Sequence, residues 1–105
     1  MYLKRAIEDK LKETMQHYPV ILVTGPRQVG KTTLLKEISK STHQYITMDD
    51  LIQRQLLEED PNLFFKNNDK ELLLDEIQYV PKAFQAIKYR VDDIRKSGFY
   101  LLIGS

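Results

Sequence analysis

A chain of 105 residues has room for one hydrophobic core, and its 42% hydrophobic and 30% charged residues are ordinary proportions for a globular protein. Lys and Arg number 16 against 15 Asp and Glu, a net charge of +1, which leaves no strong electrostatic signal for nucleic-acid binding. There is no cysteine, so disulfides and thiolate metal sites are excluded. The longest apolar run, Phe99 to Ile103, is far short of the roughly 20 residues that span a bilayer, so no membrane partner is expected. Lys4 and Arg5 lead into Glu8 and Asp9 rather than into an apolar signal core, and a cytoplasmic setting is the expectation.

In chain order, helix-like and strand-like stretches alternate, the pattern of an α/β protein with a parallel sheet. Leu3, Ile7, Leu11, Met15 and Tyr18 recur at helical spacing and predict an amphipathic first helix ended by Pro19. Val20 to Val23 is a continuous β-branched and aliphatic run, the mark of a strand buried on both faces. A glycine loop leads into a second helix that turns Leu34, Leu35 and Ile38 inward. Gln44 to Met48 predicts a second strand, and Asp49 or Asp50 stands where a helix N-cap belongs, ahead of Leu51, Leu56 and Leu57. Residues 60–70 predict a turn, a short helical piece around Phe64 and Phe65, and a loop. Leu72 to Leu74 is a third buried strand. Pro81 suits the first turn of a long helix carrying Phe84, Ile87, Val91 and Ile94 on one face, Gly98 suits its C-cap, and Phe99 to Ile103 is a fourth strand.

Gly25 to Thr32 matches G-x-x-x-x-G-K-[ST] at every fixed position. Gly25 and Gly30 permit the tight turn that brings backbone N–H groups to phosphate oxygens. Pro26, Arg27, Gln28 and Val29 fill the loop between them, with Thr33 following in the helix. Lys31 reaches the β- and γ-phosphates, Thr32 offers its hydroxyl to Mg²⁺, and the helix points its positive end at the anion. For Arg27 two readings stand, a phosphate or carboxylate contact and a solvent-facing side chain. Leu72 to Glu76 is a second motif: an aliphatic run ending in Asp75 puts a carboxylate at a strand's C-terminal tip, where open α/β sheets bind ligands. Asp75 is the expected metal holder beside Thr32, and Glu76 the acid that orients or deprotonates an attacking water. Ser105, just past the fourth strand, reads either as a γ-phosphate sensor or as a polar strand-end residue. Asp49-Asp50 reads as a cap rather than a metal ligand, Gln78 as a helix-start residue rather than a water-polarising one, and His17 and His43 lie outside ligand-like spacing.

With GPRQVGKTTLL, LLLDEIQ and the closing YLLIGS together, the sequence resembles a prokaryotic family of AAA-type ATPases over nearly its whole length. The resemblance implies ATP with Mg²⁺, Lys31 and Glu76 as catalytic residues, Thr32 and Asp75 at the metal, and Ser105 at the sensor position. It also implies a P-loop three-layer sandwich with strand order 5-1-4-3-2, of which this chain supplies four strands in the order 1-4-3-2. Residues 1–105 are then expected to be the N-terminal part of an ATPase domain. A fifth strand, a possible arginine finger and often a nuclease-like domain follow in the family, so no nuclease role is carried over and weak turnover is expected. The leading function is an ATP-hydrolysing module that drives or switches a macromolecular partner. The alternative is a nucleotide-binding regulatory module with little turnover, against which Glu76 argues. A GTPase would carry glycine where Gln78 stands, and a small-molecule kinase is a further alternative. The apolar first strand at a sheet edge implies a homo-oligomer paired through residues 19–24.

Overall fold

The computed structural model describes residues 2–25 and 30–105. The chain begins with helix α1, Tyr2–Met15, and strand β1, Val20–Thr24. Helix α2, Lys31–Ser39, then leads to strand β2, Gln44–Thr47. Two short helices follow, α3, Leu51–Glu59, and α4, Pro61–Asn67, before strand β3, Leu72–Asp75. A 3₁₀ turn, Ile77–Tyr79, precedes helix α5, Ala83–Ile94, and strand β4, Tyr100–Gly104. The four strands form one all-parallel sheet in the order β1-β4-β3-β2. This is the expected α/β arrangement, a P-loop NTPase-like fold.

Alternation along the central strands divides the core into two layers. Leu72 and Leu74 of β3 and Tyr100 and Leu102 of β4 face Leu57, Phe64, Phe65 and Ile87 of α3, α4 and α5. Leu73, Leu101 and Ile103 face the other way, onto Leu11 of α1 and Leu35 of α2. Because both faces of β3 and β4 are covered, these strands are aliphatic almost throughout, and every one of their residues is buried. Side-chain oxygens cap the two short helices, the first as the sequence predicts and the second, at Asp60, without such a prediction. Asp50 Oδ1 accepts from the N–H of Ile52 at 3.0 Å, and Asp60 Oδ1 from that of Leu63 at 3.1 Å.

Four local expectations are corrected. β1 lies at the edge of the sheet as the strand order implied, but it is not buried on both faces: its Leu22 is 47% exposed. The stripe predicted for the first helix is only partly covered: Leu11 is buried, Ile7 is exposed, and Tyr18, also exposed, lies beyond the end of α1 at Met15. Leu51 and Phe84, placed on apolar helix faces by spacing, are exposed at 68% and 39%; at the start of α5 it is the adjacent Ala83 that is buried. The C-cap of α5 is Arg95, left-handed at φ 53°, its N–H bonded to Val91 O at 3.0 Å. Gly98 serves instead in the turn into β4. There its φ is +67°, its N–H reaches Tyr18 O at 2.7 Å, and a Cβ would come within 2.9 Å of Met15 O. Only glycine fits that approach without strain.

Candidate functional site

All four strands are parallel, so their C-terminal tips share one end of the sheet, and both sequence motifs lie there. Gly30 takes the left-handed conformation (φ 68°) at the start of α2 and makes no side-chain cap. The first-turn N–H groups of α2 are thereby left for an outside acceptor. Lys31 follows at once and is 8% exposed. Its ammonium donates to two backbone carbonyls, that of Gly25 and, at 2.8 Å, that of Gly104 at the tip of β4. Among the described residues its hydrogen bonds go to carbonyl oxygens, and a buried ammonium so held is well placed for a stronger anionic acceptor. Pro26, Arg27, Gln28 and Val29 lie outside the described residues.

Thr32 and Asp75 meet across the sheet tip: the Thr32 hydroxyl donates to Asp75 Oδ2 at 3.3 Å. Asp75 is 5% exposed and its other oxygen accepts from the Glu76 N–H at 2.8 Å. Glu76, 6% exposed, is left-handed at φ 56°. For a residue with a Cβ this conformation costs about 1–2 kcal/mol. Such strain persists where the fold fixes the chain's path, here the sharp exit from β3 into the 3₁₀ turn. Gly30, Lys31, Thr32, Thr33, Asp49, Asp75 and Glu76 line one cleft of about 230 Å³. Larger clefts, such as the one of about 400 Å³ beside Lys12, Thr42 and Ser97, sit at the opposite end of the sheet and include none of these residues.

One residue of this cluster, Tyr45, was not singled out by the sequence, and two more, Gln78 and Asp49, were read there as structural. Tyr45 of β2 donates its phenol to Asp75 Oδ2 at 2.7 Å, a shorter bond than the one from Thr32, and Lys36 lies over its ring at 4.2 Å. Burial first, then this hydrogen bond and the Asp75 charge, push the phenol up to about 12. The register supplies the signal that could have found it. Thr47 pairs with Asp75, so Tyr45, two residues earlier on the same face, is a diagonal neighbour. Gln78, read as a helix-start residue, donates Nε2 to Glu76 Oε2 at 3.1 Å and accepts the Ser105 N–H on Oε1 at 3.3 Å. Asp49 lines the cleft while its neighbour Asp50 caps α3, so the pair is divided between two tasks. Ser105 is at the expected strand end, and the contact shown for it is through its backbone N–H.

Among the described residues no three His, Cys, Asp or Glu side chains group closely enough to hold a metal by themselves. One hydroxyl beside one carboxylate is nevertheless the donor set that fits Mg²⁺, which keeps waters and takes its remaining ligands from phosphate oxygens. Thr32 and Asp75 fit that description.

A parallel sheet in the order β1-β4-β3-β2, with a lysine-bearing helix start facing a strand-end Asp-Glu pair, defines a nucleotide-binding module of the P-loop class. The model of the AAA domain family matches residues 17–105, and the chain belongs to that family, whose general activity is that of a nucleotide-binding ATPase. It is similar to uncharacterized proteins of Mycobacterium bovis and Mycobacterium tuberculosis, 30% identical to each over 103 residues. Those alignments cover 97% of this chain and 23% of each relative, so the chain spans about a quarter of the length of the curated relatives it matches. No solved structure matches the chain significantly. Among the described residues no helix is long and apolar enough to cross a membrane.

Proposed function

We propose that this chain binds ATP with Mg²⁺ in the cleft at the strand tips and hydrolyses it, as a module that drives or switches a macromolecular partner. The observation that carries this reading is the meeting of Thr32 Oγ1 and Asp75 Oδ2 at 3.3 Å, in a cleft that Lys31 and Glu76 also line. Lys31 gives up its carbonyl acceptors for β- and γ-phosphate oxygens, exchanging neutral acceptors for charged ones. The N–H groups at Gly30 and in the first turn of α2 receive the phosphate chain. Thr32 and Asp75 hold Mg²⁺, which when bound neutralises charge on the phosphates. Glu76 orients a water in line with the γ-phosphate and accepts its proton. Ser105 stands at the tip of β4, where its hydroxyl senses the γ-phosphate.

Calorimetry with ATP, ADP and GTP, each with and without Mg²⁺, tests the reading, with phosphate release measured alongside. ATP and ADP are expected to bind, and Lys31→Ala to abolish measurable binding. Glu76→Gln should keep binding and remove hydrolysis, since it acts on the water and barely touches the ground state. No nucleotide binding by the wild-type chain refutes the function. If Glu76→Gln weakens binding as much as Lys31→Ala, the division of roles is wrong.

A further inference from the structure

Asp75 Oδ2 carries more than the Thr32 contact. The Tyr45 phenol donates to it at 2.7 Å and the Thr32 hydroxyl at 3.3 Å, while the Glu76 N–H occupies Oδ1 at 2.8 Å. The phenol is itself held in place. Thr47 Oγ1 accepts the Asp49 N–H at 3.1 Å, and the same side chain bonds to the phenol. Lys36 of α2 lies over the ring at 4.2 Å. The Met48 N–H donates to Asp75 O at 2.9 Å and so pins the end of β2 against β3. An ionised carboxylate only accepts and a phenol has a single hydrogen, so that hydrogen points at Oδ2.

Each carboxylate oxygen offers a pair of acceptor positions. On Oδ2 the phenol takes one and the Thr32 hydroxyl the other, and on Oδ1 the Glu76 N–H takes one. Asp75 is therefore unable to grip a cation with both oxygens unless the phenol leaves. Divalent cations differ in what this costs them. Mg²⁺ dehydrates reluctantly and combines few protein oxygens with several waters, whereas Ca²⁺ takes about 6–8 oxygens and readily accepts a carboxylate bidentately. The geometry points to Tyr45 as a specificity-determining residue: its phenol closes Asp75 Oδ2 to direct and bidentate cation contact, and the cleft thereby favours Mg²⁺ over Ca²⁺. The inference rests on the ATP reading above and adds to it the choice of ion. The residue type agrees with this role. Lysine or arginine in its place would bring a positive charge and weaken the hold of Asp75 on any cation. Phenylalanine would leave Oδ2 open. Tyrosine covers the oxygen and leaves the carboxylate its charge.

Calorimetry compares the affinities of wild type and Tyr45→Phe for Mg²⁺·ADP and Ca²⁺·ADP. In the wild type Ca²⁺ must displace the phenol before it can use Oδ2, and in Tyr45→Phe it need not. The ratio of Mg²⁺·ADP to Ca²⁺·ADP affinity is therefore expected to fall about tenfold in the variant, the order of one hydrogen bond to a charged group. Most of the change should be a gain for Ca²⁺·ADP. A role confined to stability would lower both affinities together and leave the ratio unchanged. Thr47→Val, which removes the hydroxyl behind the phenol, should move the ratio the same way by a smaller factor, and serves if Tyr45→Phe fails to fold. An unchanged ratio in the folded variants, or one that moves towards Mg²⁺, overturns the assignment and leaves the nucleotide reading standing. Absence of ADP and ATP binding by the wild-type chain with either ion refutes that reading, and with it the role of Tyr45.

Discussion

Tyr45→Phe removes one oxygen atom, and with it the bond to Asp75 and a side-chain contact with Thr47. The phenol donates to Asp75 Oδ2 at 2.7 Å, while Thr32 reaches the same oxygen at 3.3 Å and the Glu76 N–H holds the other at 2.8 Å. A hydrogen bond to a charged group contributes about 1.5–3 kcal/mol, and the half-buried position of Tyr45 argues for the lower part of that range. Phe leaves no unpaired polar atom of its own and keeps the ring under Lys36, so the loss falls on Asp75, which is 5% exposed, and on the Thr47 side chain that also bonds to the phenol. Destabilisation of about 1–2 kcal/mol is expected, which in a domain of this size lowers Tm by about 5–15 °C. Urea unfolding followed by circular dichroism should show a lower midpoint with an unchanged m-value. Repeating the substitution in an Asp75→Asn background tests the cause, because the two changes share a partner and should be less than additive by about 1 kcal/mol. Strict additivity, or no loss in the single variant, would refute the claim that this bond orients Asp75.

Alkaline titration gives an independent check. The raised phenol of Tyr45 contributes stability that is complete below the ordinary tyrosine value of 10.0 and is lost as pH rises towards about 12. The gap in unfolding midpoint between wild type and Tyr45→Phe should therefore narrow across that interval; a constant gap counts against the bond. Thr32→Ala should mainly weaken the Mg²⁺-dependent part of ATP binding, and equal loss with and without Mg²⁺ contradicts its assigned role. Gly98→Ala should cost about 2 kcal/mol, combining left-handed strain with a Cβ placed 2.9 Å from Met15 O, and a cost below about 0.5 kcal/mol would show that the turn relaxes. The edge of β1 should pair with a second copy of the chain, so light scattering at high concentration should report self-association that a lysine at Leu22 abolishes; a monomer at every concentration refutes it.

Much of the fold was legible because the local rules agree with one another. The aliphatic runs at Leu72 and Phe99 and the cap at Asp50 are short-range patterns, and each forms close to where its spacing puts it. The resemblance implied the strand order, since nothing local says which strand lies beside which. Tertiary structure decided what spans long stretches of chain. Leu22 reads as buried by composition but is exposed, because burial depends on a neighbour and β1 lies at the edge of this sheet. Gly98 reads as a helix cap, yet the close approach of Met15 uses it elsewhere and leaves the left-handed cap to Arg95. Lys31, Thr32, Asp75 and Glu76 were named as candidates from motif chemistry, since phosphate and metal would restrict the side chains that serve them, and the four line one cleft. Tyr45 was not named and Gln78 was set aside as a helix-start residue, because any half-buried strand carries a tyrosine as readily and any helix start a glutamine. Their partners, Asp75 for Tyr45 and Ser105 for Gln78, lie 30 and 27 residues away along the chain. Only the parallel register of β2 on β3 and the position of the β4 tip bring them within hydrogen-bonding distance.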